Sequence, residues 1–344
     1  MILLRLCSRR LQTESCRRLT SGLGRNQPQR PHKTPARTST RRAGASDAGG
    51  HARRQISMST HLDGVVTPEW LAANLRRTDV KVLDASWYMP NSNRNPLEEF
   101  QSERIPGARF FDVDKIADTS VSLPHMLPSE TLFQESVRAL GVNQDDLVVV
   151  YDGLGLFSAA RAWWMFRVFG HDKVVVLEGG LPGWKQVNGS SVETEPETAA
   201  AEPGDLEAHL RPALLKGLAE VHANIESQEF LLVDARSEGR FKGTAPEPRP
   251  GLRGGHVPGS ANIPFSAVLT SDGFLKPDEE LAAVVRGAGL GDKSKPVVAS
   301  CGTGVTACIV ALALFKLGLA DVAVYDGSWT EWALNEDMPV EGDA

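Results

Sequence analysis

SCGTGVTAC, Ser300 to Cys308, decides how this chain folds, because it supports two incompatible readings. From Gly302 it spells G-x-G-x-x-A, the loop that cradles a pyrophosphate at a helix N-terminus in a dinucleotide-binding sheet. From Cys301 it is a thiol at the mouth of a Gly-rich loop between a strand and a helix. The first reading finds an acid at ribose distance in Asp326. Only eighteen residues follow that aspartate, however, too few for the strands a nucleotide-binding half still needs. The second reading asks less. Gly302 and Gly304 allow positive φ, successive amides turn inward, and a helix starting near Thr306 adds its positive end. Those features stabilise a thiolate, and a cysteine heading such a loop is not placed for burial. Cys308, two helical turns on, points into the core below it.

The surrounding chain repeats itself. LVVVYDGLGLFSAARAWW at Leu147 matches PVVASCGTGVTACIVALAL at Pro296, and KVLDASWYMP at Lys81 matches LLVDARSEGRF at Leu231. RIPGARFF at Arg104 matches HVPGSANIPF at His256, and VVVLEGGLPGW at Val174 matches VAVYDGSWTEW at Val322. Four segments in the same order describe a duplicated domain rather than a solenoid. Each copy alternates apolar, β-branched runs with Ala/Leu-rich helical stretches, so the class is α/β with parallel sheets covered on both faces. The copies span 64–187 and 211–344. Residues 188–210, rich in Glu, Ala, Ser and Pro, read as a solvated linker. In the first copy Asp152 stands where Cys301 stands in the second.

The net charge of −6 hides an asymmetry: residues 1–57 hold twelve Arg and one Lys against Glu14 and Asp47, leaving about −17 for the rest. An acidic body argues against nucleic acid or an anionic membrane as the partner. The basic, Ser/Thr-rich head has the composition of an organelle transit peptide, mitochondrial or, in a photosynthetic source, chloroplast. Met58 is a candidate start for a shorter cytosolic form. Beyond the head, Cys301 and Cys308 alone make neither a disulfide framework nor a zinc set.

A Cys-based phosphatase is the natural rival. It needs an Arg six positions after the Cys to hold phosphoryl oxygens, and Ala307 stands there. The cup of residues 301–306 suits one extra sulfur atom better than a tetrahedral phosphate.

CGTGVTAC, with DASWYMP, IPGARFFDVD, HMLP, GRFKGTAPEPR, HVPGSANIPF and VYDGSWTEW, closely resembles the two-domain rhodanese family of sulfurtransferases, from roughly Val66 to the C-terminus. The resemblance implies two tandem rhodanese-like domains, each a mainly parallel sheet flanked by helices, of which the second is active. It implies that the Cys301 thiolate takes sulfur from a donor as a persulfide, without metal or organic cofactor. Cyanide, a small thiol or a protein thiol such as thioredoxin then removes that sulfur. Members acting on thiosulfate place basic residues after the cysteine; Gly302 and Thr303 are neutral and match the members acting on 3-mercaptopyruvate, with Thr where those carry Ser. Thiosulfate is then the poorer donor.

By the same resemblance Arg240 and Arg249 hold the keto-acid, for which a bidentate guanidinium is apt. Gly302, Gly304, Val305 and Thr306 line the substrate, while Asp114 and His125 of the first copy join Thr303 in a carboxylate–imidazole–hydroxyl relay. Asp234 and Arg236 read as a structural ion pair, and Trp184, Trp329 and Trp332 as packing. Two alternatives remain beside the enzyme acting on 3-mercaptopyruvate: a thiosulfate:cyanide sulfurtransferase, and a persulfide carrier that hands sulfur to a partner protein.

Overall fold

The computed structural model describes residues 63–196, 200–290 and 295–343. The basic head, 1–57, lies outside the described residues. Ten strands form two five-stranded sheets. In the first copy they are β1 (Val65–Val66), β2 (Val80–Asp84), β3 (Arg109–Phe110), β4 (Leu147–Tyr151) and β5 (Val174–Leu177). In the second they are β6 (Leu215–Lys216), β7 (Leu231–Asp234), β8 (Ala261–Asn262), β9 (Val297–Ser300) and β10 (Ala323–Tyr325).

The strand orders are β1-β5-β4-β2-β3 and β6-β10-β9-β7-β8, the same topology written twice. Every pairing between these strands is parallel. The fold class expected from the sequence is therefore the one observed. All five residues of β4 and all four of β9 are buried, which is why neither strand alternates apolar with polar residues.

Two helices join the copies. Ala159–Val168 is buried along its whole length, and Ala307–Lys316 is buried from Ala307 to Leu314. They pack on one another in a single apolar core drawn from both sheets, with Trp163 edge-on to Phe315 at 5.4 Å. Ile309, Val310, Leu312 and Leu314 are fully buried there, and each such side chain contributes about 1.5–3 kcal/mol of hydrophobic stabilisation. This shared core fixes the loop that opens the second helix against loops of the first copy.

The connection between the copies departs from expectation. Leu206 and Ala208 are buried, Gly204 N–H donates to Arg138 O, and Arg138 Nε donates to Leu206 O. An apolar residue every second position lets its latter half lie along the first copy rather than in solvent. Trp184, Trp329 and Trp332 are core residues, as read from the sequence.

Candidate functional site

β9 ends at Ser300 and delivers Cys301 to the head of the loop, as the sequence suggested. The cysteine is only 1 % exposed, however, which corrects the expectation that the loop leaves it open. Its carbonyl and that of Gly302 accept from Trp329 N–H and Thr330 N–H at the start of the helix Ser328–Leu334. Its own N–H donates to Ser328 Oγ at 3.1 Å, so this first amide turns away from the cup. Among the described residues no protein group accepts from the N–H groups of Gly302, Thr303, Gly304, Val305 or Thr306. A run of unpaired amides beside a buried sulfur is costly unless an anion or water satisfies it.

The first copy shows where such an anion sits. Asp152, at the position equivalent to Cys301, accepts through Oδ2 from the N–H groups of Phe157, Ser158 and Ala159 at 2.7–2.9 Å, and through Oδ1 from Leu154 at 2.9 Å. A tethered carboxylate accepts from the amides of that loop, whereas among the described residues no side chain accepts from the amides of residues 302–306.

Thr303 is buried, and its Oγ1 lies 3.1 Å from His125 Nδ1. His125 Nε2 is 3.0 Å from Asp114 Oδ1. Asp114 follows a turn in which Asp112 Oδ1 accepts from Asp114 N–H and Lys115 N–H. Its carboxyl is held below the usual carboxylate range, chiefly by the hydrogen bond from His125, against the opposing effect of burial. A carboxylate facing Nε2 assigns the ring proton there and leaves the Nδ1 lone pair to receive the Thr303 hydroxyl hydrogen. The imidazole is buried, lies edge-on to Trp87 at 4.6 Å, and belongs to a residue with φ of 63°. The three expected partners are thus adjacent, and Trp87, which the sequence reading passed over, completes the wall.

Arg240 and Arg249 differ. Arg240 is clamped by Glu247, with Nη2 2.6 Å from Oε2 and Nε within 3.2 Å of both oxygens. Its Nη2 overhangs the loop 3.1 Å from where a Cβ on Gly302 would sit, so the guanidinium occupies the space that glycine leaves. Arg249 is half-buried and makes no hydrogen bond or ion pair among the described residues. Burial pushes its guanidinium below its ordinary range, opposed by Cys301, while Arg240 adds to the lowering. One cation is already neutralised by Glu247; the other stays available to a ligand anion.

Val305 is a core residue, so only its backbone faces the loop, and Thr306 precedes the helix without capping it through its side chain. Cys308 is wholly buried and donates to Gly304 O at 3.2 Å; burial pushes its thiol up, which leaves it a packing residue. Asp234 and Arg236 form the anticipated ion pair, with Nη2 to Oδ2 at 2.5 Å, and Arg236 also reaches Glu247 at 2.8 Å. Glu247 was absent from the sequence reading; its signal was an acid within the same Pro-rich loop as the two arginines.

One further residue went unread, and Asp326 was considered only as a ribose acid. Arg161 is wholly buried and pairs with Asp326 at 2.7 Å, between His125 and the Cys301 loop. A lone arginine in the apolar run SAARAWWMF was the available clue.

The rhodanese-like domain profile matches residues 67–187 and 218–335. The mitochondrial thiosulfate/3-mercaptopyruvate sulfurtransferase 1 of Arabidopsis thaliana is 46% identical, covering 94% of this chain and 89% of its own. The 3-mercaptopyruvate sulfurtransferase of Rattus norvegicus is 45% identical over 78% of this chain and 91% of its own. The thiosulfate sulfurtransferase of Cricetulus griseus is 48% identical over the same 78% and 91%. Among solved structures, SseA of Escherichia coli, described as a 3-mercaptopyruvate sulfotransferase, superposes with a TM-score of 0.70 at 37% identity, covering 77% of this chain and 98% of its own.

Proposed function

The chain belongs to the rhodanese-like family of sulfurtransferases, and from that premise we propose that Cys301 carries sulfur as a persulfide from 3-mercaptopyruvate to an acceptor thiol. It is a sulfurtransferase of the 3-mercaptopyruvate and thiosulfate kind, acting on small sulfur donors and acceptors.

The observation that carries the reading is the Asp114–His125–Thr303 line beside Cys301. In the first stage the Cys301 thiolate attacks the donor sulfur, an S–S bond forms and the C–S bond breaks. The electron pair of that bond passes to the methylene carbon as an enolate. The donor thiol's proton must reach that carbon to give pyruvate, and His125 with Thr303 is placed to move it. The product is Cys301 persulfide, whose outer sulfur bears the negative charge that the free amides of residues 302–306 suit. Thiosulfate delivers sulfur by the same attack and releases sulfite, with no proton to place. Only the mercaptopyruvate reaction uses the relay.

Arg249, with Arg240 behind it, is the group for the keto-acid carboxylate. The neutral pair Gly302 and Thr303 adds no cation for a sulfonate-like donor, which supports thiosulfate as the poorer one. In the second stage a thiol such as thioredoxin or a small thiol, or cyanide, takes the outer sulfur. Delivery to the mitochondrion through residues 1–57 accords with the composition of that segment and with the mitochondrial Arabidopsis relative.

The test is donor competition on one preparation. Pyruvate release from 3-mercaptopyruvate should exceed sulfite release from thiosulfate by at least about tenfold in kcat/KM, a difference of roughly 1.4 kcal/mol in transition-state binding. The reverse order contradicts the donor assignment. A single turnover with excess small thiol would favour the persulfide carrier.

A further inference from the structure

Arg161 lies outside the catalytic groups named above, yet it is bonded to two of their loops. One guanidinium links its helix to the catalytic loop. Nη2 donates to the backbone oxygen of His125; Nη1 donates to Asp326 Oδ1 at 2.7 Å and to Gly304 O at 3.3 Å. The other oxygen of Asp326 accepts from Leu127 N–H at 2.6 Å, two residues beyond His125. The ring of Trp164 lies beneath the guanidinium, 4.6 Å from its carbon. Arg161 thus grips the peptide of the relay histidine and the peptide of the catalytic loop together, from a helix belonging to the first copy.

The neighbouring residues are shaped around this side chain. Gly304 has φ of 74°, and a Cβ there would lie 3.0 Å from Arg161 Nη1 and 2.7 Å from Asp326 O. His125 holds a left-handed conformation that costs a non-glycine residue free energy and persists only where surroundings impose it. The helix bearing Arg161 is itself anchored at its start, where Asp152 accepts from Phe157, Ser158 and Ala159. A chain of contacts runs from the carboxylate of the first copy, through the helix, to the imidazole beside Cys301.

We propose that Arg161, paired with Asp326, is a positioning residue that sets the His125–Thr303 contact and thereby selects for donors whose transfer requires a proton. The proposal rests on the relay assigned above to His125. Burial works against the arginine's charge, but the Asp326 carboxylate 2.7 Å away holds it as a guanidinium, so it stays a fixed cation during turnover. Its effect on the reaction is through geometry, since it touches neither donor nor sulfur.

The experiment compares three proteins with both donors: Arg161→Lys, Arg161→Met/Asp326→Leu and His125→Asn. The double variant removes both buried charges together, which spares the fold the cost of an unpaired ion. Lysine supplies one charge but cannot donate along two directions as the planar guanidinium does. The ratio of kcat/KM for 3-mercaptopyruvate over thiosulfate should fall about tenfold in Arg161→Lys and about a hundredfold in the double variant, within the range that general acid–base catalysis contributes. His125→Asn should match or exceed the double variant. A selective fall with His125→Asn and an unchanged ratio with the Arg161 variants overturns the positioning role and leaves the relay standing. An unchanged ratio with His125→Asn overturns the relay itself. Equal losses with both donors in the Arg161 variants, with thermal unfolding still cooperative, overturn the proposal by reducing Arg161 to a packing residue.

Discussion

His125 Nδ1 and Thr303 Oγ1 stand 3.1 Å apart although 178 residues separate them in the chain. One comes from a loop of the first copy and the other from the loop after β9. The contact exists because the helices Ala159–Val168 and Ala307–Lys316 share a core. It gives the first copy, which has Asp152 where a nucleophile would be, a reason to remain: it builds one wall of the site.

The Thr303 hydroxyl should matter to one donor more than to the other. Thr303→Val keeps shape and removes the hydroxyl, and should lower kcat with 3-mercaptopyruvate by about 10- to 100-fold while changing kcat with thiosulfate by less than about threefold. Steady-state kinetics with both donors checks this. Equal losses would place Thr303 in the loop's structure alone.

The Asp114–His125 pair carries a pH signature. Since the hydrogen bond from His125 lowers the Asp114 carboxyl, the contribution of that contact is present above the ordinary aspartate range and is lost as pH falls through the lowered value. Asp114→Asn should therefore alter the acid limb of kcat/KM for 3-mercaptopyruvate and leave the thiosulfate profile in place. Parallel pH profiles of variant and parent measure it.

Arg249 should act in binding. Without a carboxylate partner of its own, it is free to accept the keto-acid, so Arg249→Met should raise KM for 3-mercaptopyruvate about 10- to 100-fold with a smaller change in kcat. Arg249→Lys should recover only part, because an ammonium makes no paired hydrogen bonds.

Fold and site differ in how far the sequence exposes them. The duplicated blocks place both sheets, because β4 and β9 are apolar runs that only a doubly covered parallel sheet accommodates. Cys301 was legible from its Gly-rich loop, whereas the Thr303, Asp114 and His125 relay was legible only through the family's motifs, since nothing local joins residue 125 to residue 303. Arg161 and Asp326 stayed hidden for a related reason. A buried ion pair across two copies has no periodicity, and Asp326 looked like a ribose acid in an alternative fold. The burial of Cys301 was misread because a Gly-rich loop in isolation is open, whereas here the cysteine lies in the core shared by both copies, with its peptide groups bonded to Ser328 and Trp329.

Duplication also predicts a stability difference. Asp84 and Asp234 end equivalent strands, but Asp234 faces Arg236 while Asp84 has Ser86, whose N–H donates to Asp84 Oδ1 at 2.8 Å. Burial raises the Asp84 carboxyl to about 6. A raised folded value means stability is greatest below the unfolded value near 4 and falls as pH rises through about 6. Asp84→Asn should stabilise the protein by about 1–3 kcal/mol at pH 7.5, with the gain vanishing near pH 4. Thermal unfolding at the two pH values checks the sign; a destabilisation of equal size at both would contradict it.

The account depends most on Cys301 holding sulfur as an anion at the mouth of that helix. Intact-mass measurement after mixing with 3-mercaptopyruvate, before acceptor is added, tests this directly. One extra sulfur atom on the parent protein, released by cyanide or thiol with pyruvate formed in equal amount, and none on Cys301→Ser, is the predicted result. Full turnover by Cys301→Ser, or pyruvate formed while the mass stays unchanged, would contradict it.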